Sequence, residues 1–418
     1  MSKSNTRTFA LKLLLCVGLI AGANMLYASS QALASDAQVP VQKGAYFPNT
    51  ETLGPAEMRV ISCGTGLPTP LTKAQKSACF MVELGNGDIF LFDVGTGSVE
   101  NLFALQPRFA NVDKVFLSHL HTDHFGDLDA LWVGGWGSGR YTPLHVYGPS
   151  GATPELGTAT AIEALTRAYA WDIAGRSGAW PDAGGRMVAH EFDYKQENQV
   201  VYEENGVRIT SFPAIHVLDG SVSFRLDWNG LSFVYGGDSV PNKWFVEYAK
   251  GADIVIHESI YTPEGMNQFY GWNNMRTATY VAAYIHTPPS AFGKLMSVVR
   301  PRMAVAYHAL LVPELLQQST EAIRSTYDGP LTIAGDLFVW NVTKEEIIVR
   351  EAVVSEMPYP PPAGREWGQA ERSQPKGKKI SDQIQAGWWD QYKPPPTAGR
   401  PRLHRGRMTR FGVLAEVI

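Results

Sequence analysis

The sequence predicts an α/β protein of mixed β-sheets with helices packed outside them. Strand-like and helix-like segments alternate from about Glu57 to Val354. Two β-rich stretches, Val200 to Phe212 and Val222 to Tyr235, each turn at an Asn-Gly pair, Asn205-Gly206 and Asn229-Gly230, the strongest short hairpin signal. The side chains able to bind metal are spread over most of this stretch, so one domain of about 300 residues fits better than two.

The elements follow in order. A short extended lead, residues 35–56, precedes the domain. Arg59 to Cys63, Ala78 to Leu84 and Ile89 to Phe92 read as successive strands, with Gly85-Asn86-Gly87-Asp88 as the turn between the last two. Val115 to Leu117 and Leu144 to Tyr147 are short buried strands. Thr153 to Trp171 has helical spacing, with Leu156, Ile162, Leu165 and Tyr169 on the inner face. After the hairpins come buried strands at Ile254 to Ile256 and Met303 to Ala306. Helical material around Ala278 to Tyr284 and Ser290 to Val299 separates them. A strand pair over Leu331 to Val354 closes the domain, residues 57–355.

The two ends differ from this middle. Lys3, Arg7 and Lys12 precede the apolar run Leu13 to Ala21, and Ala32-Leu33-Ala34 offers small residues where a signal peptidase reads. Residues 1–34 therefore read as a cleavable signal peptide, which predicts a periplasmic or secreted protein with no stable membrane insertion after cleavage. Residues 356–418 form a basic, Pro-rich tail, bracketed by Pro358-Tyr359-Pro360-Pro361-Pro362 and Pro394-Pro395-Pro396. Trp367, Trp388 and Trp389 could dock it. Beyond the leader, 33 basic residues face 40 acidic ones, a net charge of −7. An acidic chain suits polyanionic nucleic acid poorly, so no nucleic-acid partner is expected. Cys63 and Cys79 end one strand and begin the next. A hairpin could bring them together as a disulfide if their Cα atoms lie within about 7 Å.

The chemistry concentrates in Val115-Phe116-Leu117-Ser118-His119-Leu120-His121-Thr122-Asp123-His124, followed by Phe125-Gly126-Asp127. An apolar strand runs directly into four ligand-type side chains. His119 and His121 alternate on one side of the extended chain, while Asp123 and His124 fall on the bend. Imidazole and carboxylate are donors that zinc accepts.

This His-x-His-x-Asp-His motif after a hydrophobic strand resembles the signature of the metallo-β-lactamase superfamily. Phe92-Asp93-Val94-Gly95-Thr96-Gly97 is similar to the family's early Asp-x-Gly turn, which buttresses the ligand loop. His216 after the strand Ile209 to Phe212, Gly236-Gly237-Asp238-Ser239 after the second hairpin, and His308 after Met303 to Ala306 extend the likeness. The resemblance implies an αββα sandwich with two metal ions. Zinc is expected, with manganese or iron(II) as alternatives. One ion takes His119, His121, His216 and Asp238, the other Asp123, His124, Asp238 and His308. A bridging hydroxide would attack the substrate, and Asp123 shares in catalysis as well as ligation. Homodimers are common in the family.

Asp238 as a bridging ligand sets the chain apart from true β-lactamases. His257-Glu258-Ser259 and His286-Thr287 resemble the ribonuclease Z branch, in which the glutamate and the later histidine protonate the leaving oxygen. Here those would be Glu258 and His286. Pro288-Pro289 departs from that branch's motif. Only 21 residues separate His216 from Asp238, too few for its tRNA-gripping arm. The expectation from sequence is thus an exported hydrolase of a small anionic ester, arylsulfatase-like or phosphodiesterase-like. A lactonase is the alternative, and tRNA 3′ processing is disfavoured. Trp132, Trp136, Tyr261, Tyr270 and Trp272 are candidates to line a cleft. His145, His190 and His404 read as ordinary packing, surface or tail residues, and His257 as at most a neighbour of the site.

Overall fold

The computed structural model of the chain describes residues 42–357 and 381–386. The expected leader and most of the tail, including Trp367, Trp388, Trp389 and His404, lie outside the described residues. From the N-terminus the strands are β1 (Gln42–Tyr46), β2 (Met58–Gly64), β3 (Cys79–Leu84), β4 (Ile89–Phe92) and β5 (Lys114–Phe116). Then come β6 (Leu144–Pro149), β7 (Met187–Phe192), β8 (Gln199–Glu204), β9 (Val207–Pro213), β10 (Val222–Trp228) and β11 (Leu231–Tyr235). The last are β12 (Ile254–Glu258), β13 (Met303–Tyr307), β14 (Leu331–Ile333), β15 (Phe338–Val342) and β16 (Ile347–Ala352).

They form two mixed sheets. One has nine strands in the order β1-β16-β15-β2-β3-β4-β5-β6-β7, the other seven in the order β14-β13-β12-β11-β10-β9-β8. Alternation along each strand decides what faces where. In β4, Phe90 and Phe92 point between the sheets while Ile89 and Leu91 point outward; in β12, Ile254 and Ile256 point inward and Val255 outward. The shared core joins Phe80, Phe92 and Phe116 of one sheet to Phe224, Phe233 and Val305 of the other. Outside the first sheet, Leu102, Leu131 and Ile162 bring helices against Leu91 and Val115. Outside the second, Phe245, Phe292 and Ile323 do the same against Val234 and Val255. The result is the αββα sandwich expected from the resemblance.

Both Asn-Gly pairs turn hairpins, β8–β9 and β10–β11, with Glu204 opposite Val207 and Trp228 opposite Leu231. Asn205, Gly206, Asn229 and Gly230 all take positive φ, as a two-residue turn of this hand requires.

Three details differ from the sequence reading. The helix over Thr153 to Trp171 is a 3-10 turn (Pro154–Leu156) and two short helices, Thr158–Ala168 and Ala170–Arg176. Gly157 is extended between the first two, which leaves Leu156 half exposed while Ile162 is buried. The closing strand pair is three strands, with β14 joining the opposite sheet from β15 and β16. The N-terminal lead also contributes an edge strand, since β1 pairs in parallel with β16. No described helix is long and apolar enough to cross a membrane.

Cys63 and Cys79 are bridged, with Cα atoms 5.0 Å apart and a sequence separation of 16. Closing a loop of that size removes freedom from the unfolded chain. Replacing both cysteines by alanine should lower unfolding free energy by about 3 kcal/mol, read from the midpoint and slope of chemical denaturation under non-reducing conditions.

Candidate metal centre

The ligand-type side chains gather at one end of the sandwich, beyond the carboxyl ends of β4, β5, β9, β11, β12 and β13. Past β5 the chain bends at Ser118 and is extended at His121, and the short helix Thr122–Phe125 then turns Asp123 and His124 into the same space. His216 follows β9, Asp238 follows β11, Glu258 ends β12, and His308 follows β13 at a positive φ of 71°.

Three groups of four result, each with its ligand atoms within 4.8 Å of one another: His119, His121, His216 and Asp238; Asp123, His124, Asp238 and His308; and His216, Asp238, Glu258 and His286. Asp238 belongs to all three. In the first, His119 Nε2 and His216 Nε2 lie 3.0 and 3.3 Å from His121 Nδ1. In the second, His308 Nε2 lies 3.1 Å from Asp123 Oδ2 and 3.3 Å from Asp238 Oδ2, and His124 Nε2 lies 3.2 Å from Asp238 Oδ1. His121 is the exposed member and marks the mouth of the site.

The outer nitrogens fix which inner ones are bare. His216 Nδ1–H donates to the Ile285 carbonyl at 2.9 Å and His124 Nδ1–H to Asp93 Oδ2 at 2.6 Å. Ser118 Oγ gives its own proton to Asp93 Oδ2 at 2.6 Å, so it accepts from His119 Nδ1–H at 3.1 Å. The Nε2 lone pairs of all three imidazoles therefore face inward. A proton on His121 Nδ1 can serve only one of its two imidazole neighbours at a time, whereas a cation would serve several inward nitrogens at once. His124 Nε2 and Asp238 Oδ1 are also buried without a hydrogen-bond partner among the described residues. The donor set fits a pair of divalent metal ions.

Asp93 is the buttress. Fully buried, at a φ of 57°, it accepts from Ser118 N at 2.7 Å and Tyr235 OH at 2.7 Å, besides Ser118 Oγ and His124. Gly95 is needed beside it, because a Cβ there would come within 1.9 Å of the Asp123 carbonyl oxygen. Sequence reasoning identified Asp93 but not Ser118, Tyr235 or the Ile285 carbonyl. Tyr235 stands three residues before Asp238, and its position at the inner end of a strand was the one available signal.

Electrostatics agree with this packing. Burial holds His119 well below the ordinary imidazole value and lowers His216 to about 4, which keeps both neutral for ligation. Burial alone would lower His124 too, but Asp238, Asp123 and Asp93 outweigh it and raise it well above the usual value. That position calls for positive charge, which a proton or a metal ion can answer. Burial would raise Asp123 and Asp238, yet His124 and His308 hold both below the carboxylate range.

Glu258 and His286 stand beside this cluster. His286 Nδ1 lies 2.8 Å from Glu258 Oε2 and 3.8 Å from Asp238 Oδ2, and Ser239 N donates to Glu258 Oε1 at 2.7 Å. Burial would lower His286, but the Glu258 carboxylate overrides it and brings the imidazole up to about 9. Burial raises Glu258 in turn.

The remaining candidates lie elsewhere. His145 Nδ1 and His190 Nε2 pair at 2.8 Å on β6 and β7. His257 points to the opposite face of β12, against Phe245 and Phe292. Trp132, Trp136 and Tyr261 are core residues; Tyr270 and Trp272 stack on one another and are half buried.

A family model described as a beta-lactamase superfamily domain matches residues 89–309. Ribonuclease Z of Mycobacterium avium (strain 104) is 31% identical over 218 residues, spanning 49% of this chain and 70% of that protein. Ribonuclease Z of Mycobacterium marinum is 29% identical over 208 residues, with the same coverage. The crystal structure of the metallo-beta-lactamase fold protein YhfI from Bacillus subtilis superposes with a TM-score of 0.51 at 19% identity, covering 68% of this chain and all of that one.

These relatives overturn two expectations drawn from sequence. The ordering that set a small anionic ester, arylsulfatase-like or phosphodiesterase-like, with a lactonase as the alternative, ahead of ribonuclease Z chemistry is reversed, and so is the expectation of no nucleic-acid partner. Net charge misled because it sums the whole surface, whereas phosphate contact is local.

The buttress makes a prediction. Asp93→Asn keeps the shape but loses an acceptor for the protons that orient His124 and Ser118. It should weaken metal binding roughly 10–100-fold, measured by chelator competition, with the circular dichroism spectrum unchanged.

Proposed function

The chain belongs to the metallo-β-lactamase superfamily, and from that premise we propose that it is a metal-dependent phosphodiester hydrolase whose substrate is RNA. The Glu258–His286 pair beside the shared carboxylate Asp238 carries this reading. A phosphodiester in RNA leaves as an alkoxide, a poor leaving group that needs a proton as the bond breaks. A histidine held protonated by a buried glutamate supplies one. RNA as the substrate is supported by the relatives named Ribonuclease Z.

Two divalent ions, zinc in this reading, would be held by His119, His121, His216, Asp123, His124, His308 and the shared Asp238. When bound, they supply the Lewis acidity that activates water and neutralises phosphoryl charge. The protein's part is positional. Asp93 and the Ile285 carbonyl orient the imidazoles, and Glu258 takes the Nδ1 proton of His286, which leaves the Nε2 proton as the one to be donated. Between His216 and Asp238 lies a single hairpin, β10–β11, so the rim of the site is left to hold the strand.

A location outside the cytoplasm is supported by the basic leader, its apolar run and Ala32-Leu33-Ala34, and by the Cys63–Cys79 bridge, a bond suited to an oxidising compartment.

Metal-loaded protein should cut an oligoribonucleotide, with the products identified by mass spectrometry; intact RNA after prolonged incubation would sink the reading. His286→Ala should lose roughly 10²–10⁴-fold on RNA. It should lose far less on bis(4-nitrophenyl) phosphate, whose leaving group needs no proton, with metal content unchanged. Protein purified from its native host should begin at Ser35 on N-terminal sequencing. A start at Met1 in a cytoplasmic fraction would overturn the export reading.

A further inference from the structure

The segment leading to His286 carries two exposed aromatic rings. It is α-helical over Met275–Tyr280 and makes a π-helical turn over Val281–Ile285. Ala278 and Ala282 are buried in a cluster with Leu67, Tyr261 and Leu310, which anchors one face. On the surface, Tyr280 is 56% exposed and Tyr284 70% exposed. Their rings stack with centroids 6.0 Å apart and planes 20° from parallel. Arg276, also exposed, stands one turn before Tyr280.

Their position is what gives this pair meaning. Tyr284 precedes His286 by two residues, a reach of at most about 7 Å along the chain. Between them, the Ile285 carbonyl accepts the Nδ1–H of His216. That bond draws the His216 loop alongside, and its Ile215, Val217 and Leu218 are exposed as well. Apolar and aromatic surface thus rims the site on the side of the proton donor.

We propose that Tyr280 and Tyr284 form a stacking platform for unpaired bases of the substrate strand, with Tyr284 beneath the nucleotide that bears the leaving oxygen. This rests on the reading of the site as an RNA phosphodiester hydrolase. His286 protonates the leaving oxygen, so the nucleotide carrying that oxygen lies over His286 and its base reaches the neighbouring ring. Aromatic rings hold bases by their π faces, which every base has, so the platform tolerates sequence and requires only that the bases be unpaired. Arg276 continues the line with a cation for the backbone. The substrate class is therefore single-stranded RNA around the cut.

The test uses the full-length, metal-loaded protein with Tyr280→Ala, Tyr284→Ala and Tyr284→Phe. Substrates are a fluorescein-labelled single-stranded oligoribonucleotide and the same strand annealed to its complement. Each alanine variant should raise KM for the single strand roughly ten-fold, the size of one lost base stack, while kcat changes by less than about two-fold. Tyr284→Phe should restore KM, because the ring and not the hydroxyl is used. The annealed strand should bind weakly to every form. RNA cleaved with unchanged KM in both alanine variants overturns the platform. So does a dimer that becomes monomeric in Tyr284→Ala, by light scattering, with KM unaltered; that face would then belong to a second copy of the chain. If no form cuts RNA, the functional reading falls, and anisotropy of the labelled strand decides the platform alone. Equal binding by wild type and both alanine variants overturns it, and loss of binding in them supports it.

Discussion

Four carboxylates, Asp93, Asp123, Asp238 and Glu258, are buried at one end of the sandwich, and the structure there is organised around their charge. A carboxylate out of water is tolerated only when protons, hydrogen-bond donors or cations surround it. Each of the four is answered differently. Asp93 takes hydroxyl, amide and imidazole donors, and Glu258 takes one amide and one imidazole. Asp123 and Asp238 face the Nε2 atoms of His124, whose outer proton is committed to Asp93, and of His308, whose Nδ1 has no partner among the described residues. What satisfies Asp93 and Glu258 comes from the protein, and what satisfies the other two calls for a cation from outside. This division separates the buttress and the Glu258–His286 pair from the candidate metal centre, although all of them share one buried space.

How much of this was legible in the sequence depended on distance along the chain. The ligands from His119 to His124 lie within six residues after an apolar strand, so their convergence could be read locally. The hairpins were legible for the same reason, since Asn229-Gly230 specifies its own turn. The grouping of His216, Asp238 and His308 with them came through family resemblance, because nothing local says that β9, β11 and β13 end at one place. The contacts of Asp93 were out of reach: Tyr235 is 142 residues away, and only the packing of the two sheets brings its hydroxyl there. Leu156 failed as a core residue because helical spacing does not register that Gly157 is extended. The substrate was misread for a different reason. The short His216–Asp238 connection and the acidic total charge describe size and sum, and neither describes the surface that meets the substrate.

The hairpin β10–β11 illustrates that last point. It takes up residues 222–235 of the connection between His216 and Asp238, pairs in full register with β9 and puts Phe224 and Phe233 into the shared core. It is thus committed to the sandwich. Recognition beyond the metal centre has to come from segments that pack less completely: the loop carrying His216 and the helix that precedes His286.

That helix holds a geometric dependency in its final turn. A π-helical turn contains one residue more than the α-helical turn it replaces, and residues are spaced by about 100° in an α-helix. Deleting a single residue between Val281 and Ile285 would let the helix continue in its more regular form. It would also rotate everything beyond by nearly a third of a revolution, taking the Ile285 carbonyl from His216 and the imidazole of His286 from Glu258. One added residue thus sets the aim of both His216 and His286, so a chain without it would keep the sandwich and its core while the two halves of the site fell out of alignment.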